Sequence, residues 1–313
     1  MGELRAAKYG PEYKRLWDDF VRNSKNGTFL FCRDYAEYHA DRFKDHSLLF
    51  FEDDELLALL PANLSNATVV SHGGLTYGGI VSDRGMKTSL MLQIFEVLIA
   101  TLREAGVAQL IYKAVPHIYH RLPAEEDLYA LYVNGAQLVR RDISAAILMG
   151  ERLPFSKGRK SEIKKGADLT VSQSDDFNTF MQIDEAVLQE RHNKQPVHTA
   201  AELKALAGAF STQIKLFAAH KQDQMLGGVV VYEDAVVAHA QYIAANAEGR
   251  RAGAQDVILD YLINDYYHDK KYFDFGISTE DEGRHLNSGL QQNKESYGAR
   301  AIAYDFYRLD LSA

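Results

Sequence analysis

Apolar and polar positions along the chain spell out one order of elements twice. In the first half, a helical stretch around Tyr13–Ser24 precedes two strand-like runs, Ser47–Glu52 and Glu55–Leu60, joined by the polar turn Asp53-Asp54. A Gly-rich extended run, Val69–Tyr77, leads into Gly78-Gly79. From Lys87 to Glu104 apolar residues fall at 90, 91, 94, 95, 98 and 102, the one-sided stripe of an amphipathic helix. Gly106 stands where a helix C-cap belongs, and Leu110-Ile111-Tyr112 reads as a buried strand.

The second half repeats this order. Ile214–Ala219 and Met225–Tyr232 form a hairpin across Gln222-Asp223, and Ala235–Ala245 supplies a third strand. Gly249-Arg250-Arg251-Ala252-Gly253 then leads into a helix with apolar positions at 254, 257, 258, 261 and 262, followed by the strand Tyr272-Phe273-Asp274-Phe275. Matching elements lie about 165 residues apart, the mark of a duplication. A helix between two strands of one sheet requires a crossover, hence a locally parallel pair. The expected fold class is therefore α/β (α+β), with two tandem domains, each a mixed, mostly antiparallel sheet flanked by helices. The expected bounds are 1–150 and 151–313, the second including a basic segment, 156–166, with Lys157, Arg159, Lys160, Lys164 and Lys165. That segment reads either as a solvated linker or helix face or as the seat of a phosphate-bearing ligand.

A length of 313 residues suits two domains, and 46% hydrophobic with 25% charged residues is enough for a core in each. The single cysteine, Cys32, cannot form an intramolecular disulfide and suits a reducing compartment. No secretory h-region opens the sequence, and Ala6 stands where a myristoylation signal wants Ser or Thr. The longest apolar run, Leu90–Leu102, is broken by Gln93 and Glu96, so no span of about 18–20 residues crosses a bilayer. The expected location is the cytoplasm. A formal net charge of −8 argues against a large nucleic-acid partner.

Candidate chemistry gathers between Asp274 and Gly298. The apolar strand there runs into Gly276 and Ser278, then Glu280, Asn287 and Lys294, so a fixed backbone hands over to a polar loop. Asp274 and Asn287 also suit a turn cap and a helix start. Lys294 suits an oxyanion or phosphate contact, or a surface pairing with Glu295 or Asp281. In Ala238-His239-Ala240-Gln241-Tyr242, strand alternation puts His239 and Gln241 on one face and Tyr242 on the other. His239 is a candidate general base or a hydrogen-bonded core residue. Arg250, Arg251 and Gly253 before a helix suit anion binding or a plain loop. His117-x-x-His120 has metal-like spacing but adjoins Pro116 and lacks evident further ligands, so no metal site is expected. Neither a Walker A, GxGxxG, HExxH nor GxSxG motif occurs.

Taken in order, several segments resemble the FemAB-like branch of the GNAT (acyl-CoA N-acyltransferase) superfamily, including its BioF2-like acetyltransferases. They are Leu59-Leu60-Pro61-Ala62, Ser71 to Gly79, Ala238 to Tyr242, Phe273 to Ser278, Leu286 to Leu290 and Lys294 to Gly298. The resemblance implies two packed GNAT-like domains and attack of an amine on an activated acyl group. The implied co-substrate is acyl-CoA (acetyl-CoA), with no tightly bound cofactor, and the acceptor an amino sugar, nucleotide-linked sugar or peptide amine, as in cell-envelope or polysaccharide synthesis. Alternatives are a FemAB-type aminoacyl-tRNA-dependent transfer in peptidoglycan and a non-catalytic glycan- or nucleotide-binding protein. The resemblance sets Lys294 near the reaction centre and the Arg250–Ala254 loop at the pyrophosphate. The expected catalytic residues are Lys294 with His239 or Glu280 as general base, and Arg250, Arg251, Gly253 and Asn287 are expected to hold the co-substrate. Tyr77, Gln241, Asp274 and Ser278 contact the acceptor. The superfamily's pyrophosphate pattern is met at Arg250 and Gly253 and fails at Gln255.

Overall fold

The computed structural model describes residues 2–192 and 196–312, with only the backbone of His39, Arg191 and His192. The chain divides into two compact units. One comprises Met1–Ile143, Glu280–His285 and Ala303–Ala313; the other comprises Ser144–Thr279 and Leu286–Ile302.

In the first unit, β1 (Leu4–Lys8), β2 (Leu48–Glu52) and β3 (Glu55–Leu60) form an antiparallel meander, with α1 (Lys14–Asn23) between the first two. Helix α2 (Thr88–Glu104) buries Met91, Ile94, Phe95, Leu98 and Leu102, the stripe expected from the sequence. These side chains join Leu48, Phe50, Ala58 and Leu60 in one apolar core. Strands β4 (Thr68–Val70) and β5 (Gln109–Lys113) lie parallel, with Thr68, Val69 and Val70 opposite Gln109, Leu110 and Ile111.

The extended run expected from Val69 to Tyr77 stops at Val70. His72 adopts φ +61°, and its N–H bonds back to Val70 O, so the chain leaves the strand. The segment 71–79 folds against the end of β5 instead. Lys113 N donates to Ser71 Oγ (2.7 Å), Gly78 N donates to Lys113 O (2.8 Å), and the buried Lys113 ammonium donates to His72 O and Leu75 O. This plug requires Gly78, because a Cβ there would stand 1.9 Å from Ser71 O.

The second unit takes in the end of β6 (Gln137–Leu148), then β7 (Thr170–Ser174), β8 (Ile214–Lys221), β9 (Gln224–Glu233), β10 (Val237–Ala245) and β11 (Tyr272–Ile277). Their order is β7-β8-β9-β10-β11-β6, and every neighbouring pair is antiparallel except β10 with β11. The basic segment is not a linker. It forms helix α3 (Lys157–Lys165), capped by Ser156, whose Oγ accepts from Arg159 N. Helices α4 (Phe177–His192) and α5 (Ala200–Ala209) follow, the latter opened by a Thr199–Glu202 capping box.

The stretch expected to be a loop before the next helix is helical as well. Asn246 caps α6 (Ala247–Ala252) by accepting from Gly249 N (2.8 Å), and Gly253, at φ +73°, ends it. Helix α7 (Ala254–Tyr261) starts at once and widens into a π-turn at Leu262–Tyr266. Its apolar face (Ala254, Ile258, Leu259) packs with Phe217, Val229, Val231 and Phe273 in the unit's core. Helix α8 (Ser288–Glu295) completes the unit. Both units follow the order hairpin, third strand, helix, then a fourth strand parallel to the third over three residues, but in the first unit the hairpin and the parallel pair belong to separate sheets.

Among the described residues no helix is long and apolar enough to cross a membrane, and no group of three His, Cys, Asp or Glu residues could hold a metal ion.

Candidate active site

The parallel pairing of β10 and β11 ends at His239 opposite Asp274, although β10 continues to Ala245. Two register slips part the strands. Across β9, Val231 faces Ala240 and Val230 faces Tyr242, leaving Gln241 as an extra residue. Across β6, Asp274 faces Ala146 while Ile277 faces Ser144, a second bulge, around Gly276 at φ +75°. Bulges bend and twist a strand, so β10 and β11 open into a wedge. The bulge also interrupts the alternation that would set His239 and Gln241 on one face against Tyr242. Tyr242 instead meets His198, its hydroxyl 2.5 Å from Nδ1.

At the apex of the wedge, His239 Nδ1 lies 2.8 Å from Asp274 Oδ2. Asp274 is fully buried, and its other oxygen accepts from Ser144 Oγ (2.6 Å) and Gly276 N (3.2 Å). A carboxylate so held accepts the Nδ1–H hydrogen bond of the neutral imidazole and leaves Nε2 as the unprotonated nitrogen. Gly276 makes room for the ring, since a Cβ there would stand 3.2 Å from His239 Cε1.

Helix α8 carries Lys294 to the same place. Asn287 caps this helix, its Oδ1 accepting from Leu290 N (3.0 Å), and its own N–H donates to Ser278 O (2.9 Å). Lys294 is buried, and Nζ donates to Gly276 O (2.8 Å) and Ile277 O (2.7 Å), fastening the bulge of β11. Burial lowers its pKa to about 8, and the nearby Asp274 charge offsets only part of that. Ser278 is buried beside these carbonyls, and its Oγ has no hydrogen-bond partner among the described residues.

The Lys294 shift predicts how stability depends on pH. Between about 8 and its ordinary 10.5, the unfolded chain holds a proton on this amine that the folded chain has released. Stability therefore rises with pH through that window. Lys113 in the first unit is lowered to about 8 by burial and acts in the same direction. Urea midpoints should climb from pH 7.5 to 9.5, and climb less in Lys294→Met; equal climbs would contradict the assignment.

The other expected site residues lie elsewhere. Arg250 donates to Ala245 O (3.1 Å) and Glu190 Oε2 (3.3 Å), and Arg251 is exposed on α6. Gly253 is covered by α3: a Cβ there would stand 2.4 Å from Glu162 O. Tyr77 and Glu280 belong to the first unit. Tyr77 is buried against the rings of Phe31, Tyr119 and Tyr304, and Glu280 is exposed. Ser144, which fixes Asp274, was not among the expected residues. Its signal was a lone hydroxyl in the apolar run Ile143–Leu148.

Residues 156–284 match the family described as "Acetyltransferase (GNAT) domain". No curated protein gives a significant sequence match. Among solved structures, FemX is similar over 98% of both chains at 11% identity, with a TM-score of 0.70. The C-terminal domain of a putative lysylphosphatidylglycerol synthetase from Agrobacterium fabrum is similar over 96% of this chain and 92% of that one, at 11% identity and TM-score 0.64. L-PGS from Bacillus licheniformis is similar over 100% of this chain and 94% of that one, at 13% identity and TM-score 0.62. At these identities the likeness is one of fold.

Proposed function

We propose that the chain is an N-acyltransferase that binds an activated acyl group in the β10–β11 wedge and passes it to an amine. The acceptor class is an amino sugar, a nucleotide-linked sugar or a peptide amine. The observation that carries this reading is the His239–Asp274 pair at the wedge apex, held by Ser144 and lying beside the buried Lys294.

In this reading the edge of β10 beyond His239, which β11 does not engage, takes the extended acyl arm as an added strand would. His239 Nε2 takes a proton from the acceptor ammonium, and the freed amine attacks the acyl carbonyl. The donor's C–S or C–O bond breaks as the tetrahedral intermediate collapses, the leaving group taking the proton back from the imidazolium that Asp274 stabilises. Lys294 holds the bulge carbonyls with two of its protons and supplies positive charge to the developing oxyanion.

Acyl-CoA is the donor a GNAT domain implies. The wedge suits its acyl end. The pyrophosphate end fits poorly, because the backbone that would cradle it is already closed. Arg250 N and Gly253 N donate to Asn246 O and Gly249 O within α6, and Glu162 of α3 lies against Gly253. This closure favours the second reading, an aminoacyl donor that brings no pyrophosphate to this spot. Among similar folds, one is named a putative lysylphosphatidylglycerol synthetase, which fits that reading.

Thermal unfolding with acetyl-CoA, longer acyl-CoAs and free CoA separates the donors. A ligand at about 100 times its Kd adds roughly 2.7 kcal/mol, a shift of some degrees. A shift with acyl-CoA assigns that donor. No shift with any CoA, together with transfer from an aminoacyl ester to an amine, assigns the second. Transfer from neither would overturn the reading.

A further inference from the structure

We propose that a separate cavity in the second unit binds a phosphate ester whose organic part is apolar or aromatic. The cavity, about 670 Å³, lies between α3, the segment 149–155 and the far end of α7. Its volume falls within the ~300–1,000 Å³ usual for small-molecule sites. Phe155, Ile163 and Tyr297 give it an apolar and aromatic lining, and Arg152, Lys160 and Lys164 supply cations.

The basic residues of α3 are sorted by task. Arg159 is turned inward, donating to Asp256 (2.9 Å) and Ser296 Oγ (2.7 Å) and lying over the Tyr297 ring. Lys165 pairs with Glu162 at 2.7 Å. Lys160 and Lys164 stand one turn apart on the cavity side, and among the described residues no carboxylate comes within 4.0 Å of either ammonium. Like charges at this spacing cost a few tenths of a kcal/mol, which an anion between them would relieve. Arg152 is fixed opposite them, its Nη1 donating to Ile263 O (3.0 Å) and Asn264 Oδ1 (2.6 Å) at the π-turn. Such turns gather at functional sites. The remaining guanidinium N–H groups are not drawn into these bonds.

Asp260 is the one carboxylate among the residues lining the cavity, and it already accepts from Asn264 Nδ2 (2.7 Å). Three cations against one carboxylate in a chain of net charge −8 make a local anion site. A bare inorganic anion would leave the apolar lining wet. An ester fills both parts of the cavity: its phosphate bridges Lys160, Lys164 and Arg152, while its chain or ring covers Leu153 and Phe155.

Calorimetric titration of the full chain with hexyl phosphate, AMP and inorganic phosphate tests this. At least one ester should bind tenfold or more tighter than inorganic phosphate. The better ester tells whether a chain or a ring is the natural body. Lys160→Gln with Lys164→Gln, both exposed positions, should weaken that ester at least tenfold, whereas His239→Gln should leave it unchanged. Esters that bind no better than phosphate, or that ignore the lysine changes, would overturn the site. Loss of binding in His239→Gln alone would place the ligand in the wedge and would also overturn it.

Discussion

Replacing His239 with glutamine should lower amine-dependent acyl transfer by about 10²–10⁴-fold, the usual contribution of a positioned general base. The side chain is only partly buried, and glutamine is nearly as long and can still donate to Asp274. The fold should therefore persist, with an unfolding midpoint within a few degrees of the parent. What is lost is an imidazole nitrogen at the apex of the wedge. The loss should fall on kcat more than on KM, because the imidazole acts on the proton in flight and not on the resting donor. Turnover within threefold of the parent would remove His239 from the mechanism.

Asp274→Asn should cost nearly as much, for a different reason. Ser144 can still donate to the remaining carbonyl oxygen, so packing is kept. The new amide, however, can turn its NH₂ toward His239 Nδ1. The imidazole then carries its proton on Nε2 and cannot accept another there. A drop of about 10²–10⁴-fold is expected, with little change in stability. Ser144→Ala should show the same sense at smaller size, since it loosens Asp274 without altering its charge. If Asp274→Asn stays active while His239→Gln does not, the pair is structural and the base works unaided.

The sequence made the architecture legible because its signals were periodic and local. The stripe 90–102 closed on the sheet as a helix, and both hairpins fell at their polar turns. Lys294, His239 and Asp274 came together because the order strand, crossover helix, strand sets the ends of β10 and β11 side by side. The departures have physical causes. Alternation assigned Gln241 and Tyr242 to opposite faces, but a bulge adds one residue and no periodicity announces it. The segment 249–253 read as a loop because of its glycines. Asn246, a strong N-cap, instead starts a helix there that ends on Gly253. Ser144 escaped notice because its partner is 130 positions away, a pairing visible only in three dimensions.

That closed segment bears on the donor. A phosphate cradle needs free N–H groups, and those of Gly249, Arg250 and Gly253 are already bonded within α6 and its cap while α3 covers Gly253. The wedge is untouched by this, since it is built from strand edges and the His239–Asp274 pair.

The most direct measurement follows acyl loss from acyl-CoA and from aminoacyl esters with a panel of amines, in the parent and in His239→Gln side by side. The account predicts amine-dependent transfer from one donor class in the parent, reduced at least 100-fold in the variant at unchanged stability. Equal transfer by both proteins would contradict it.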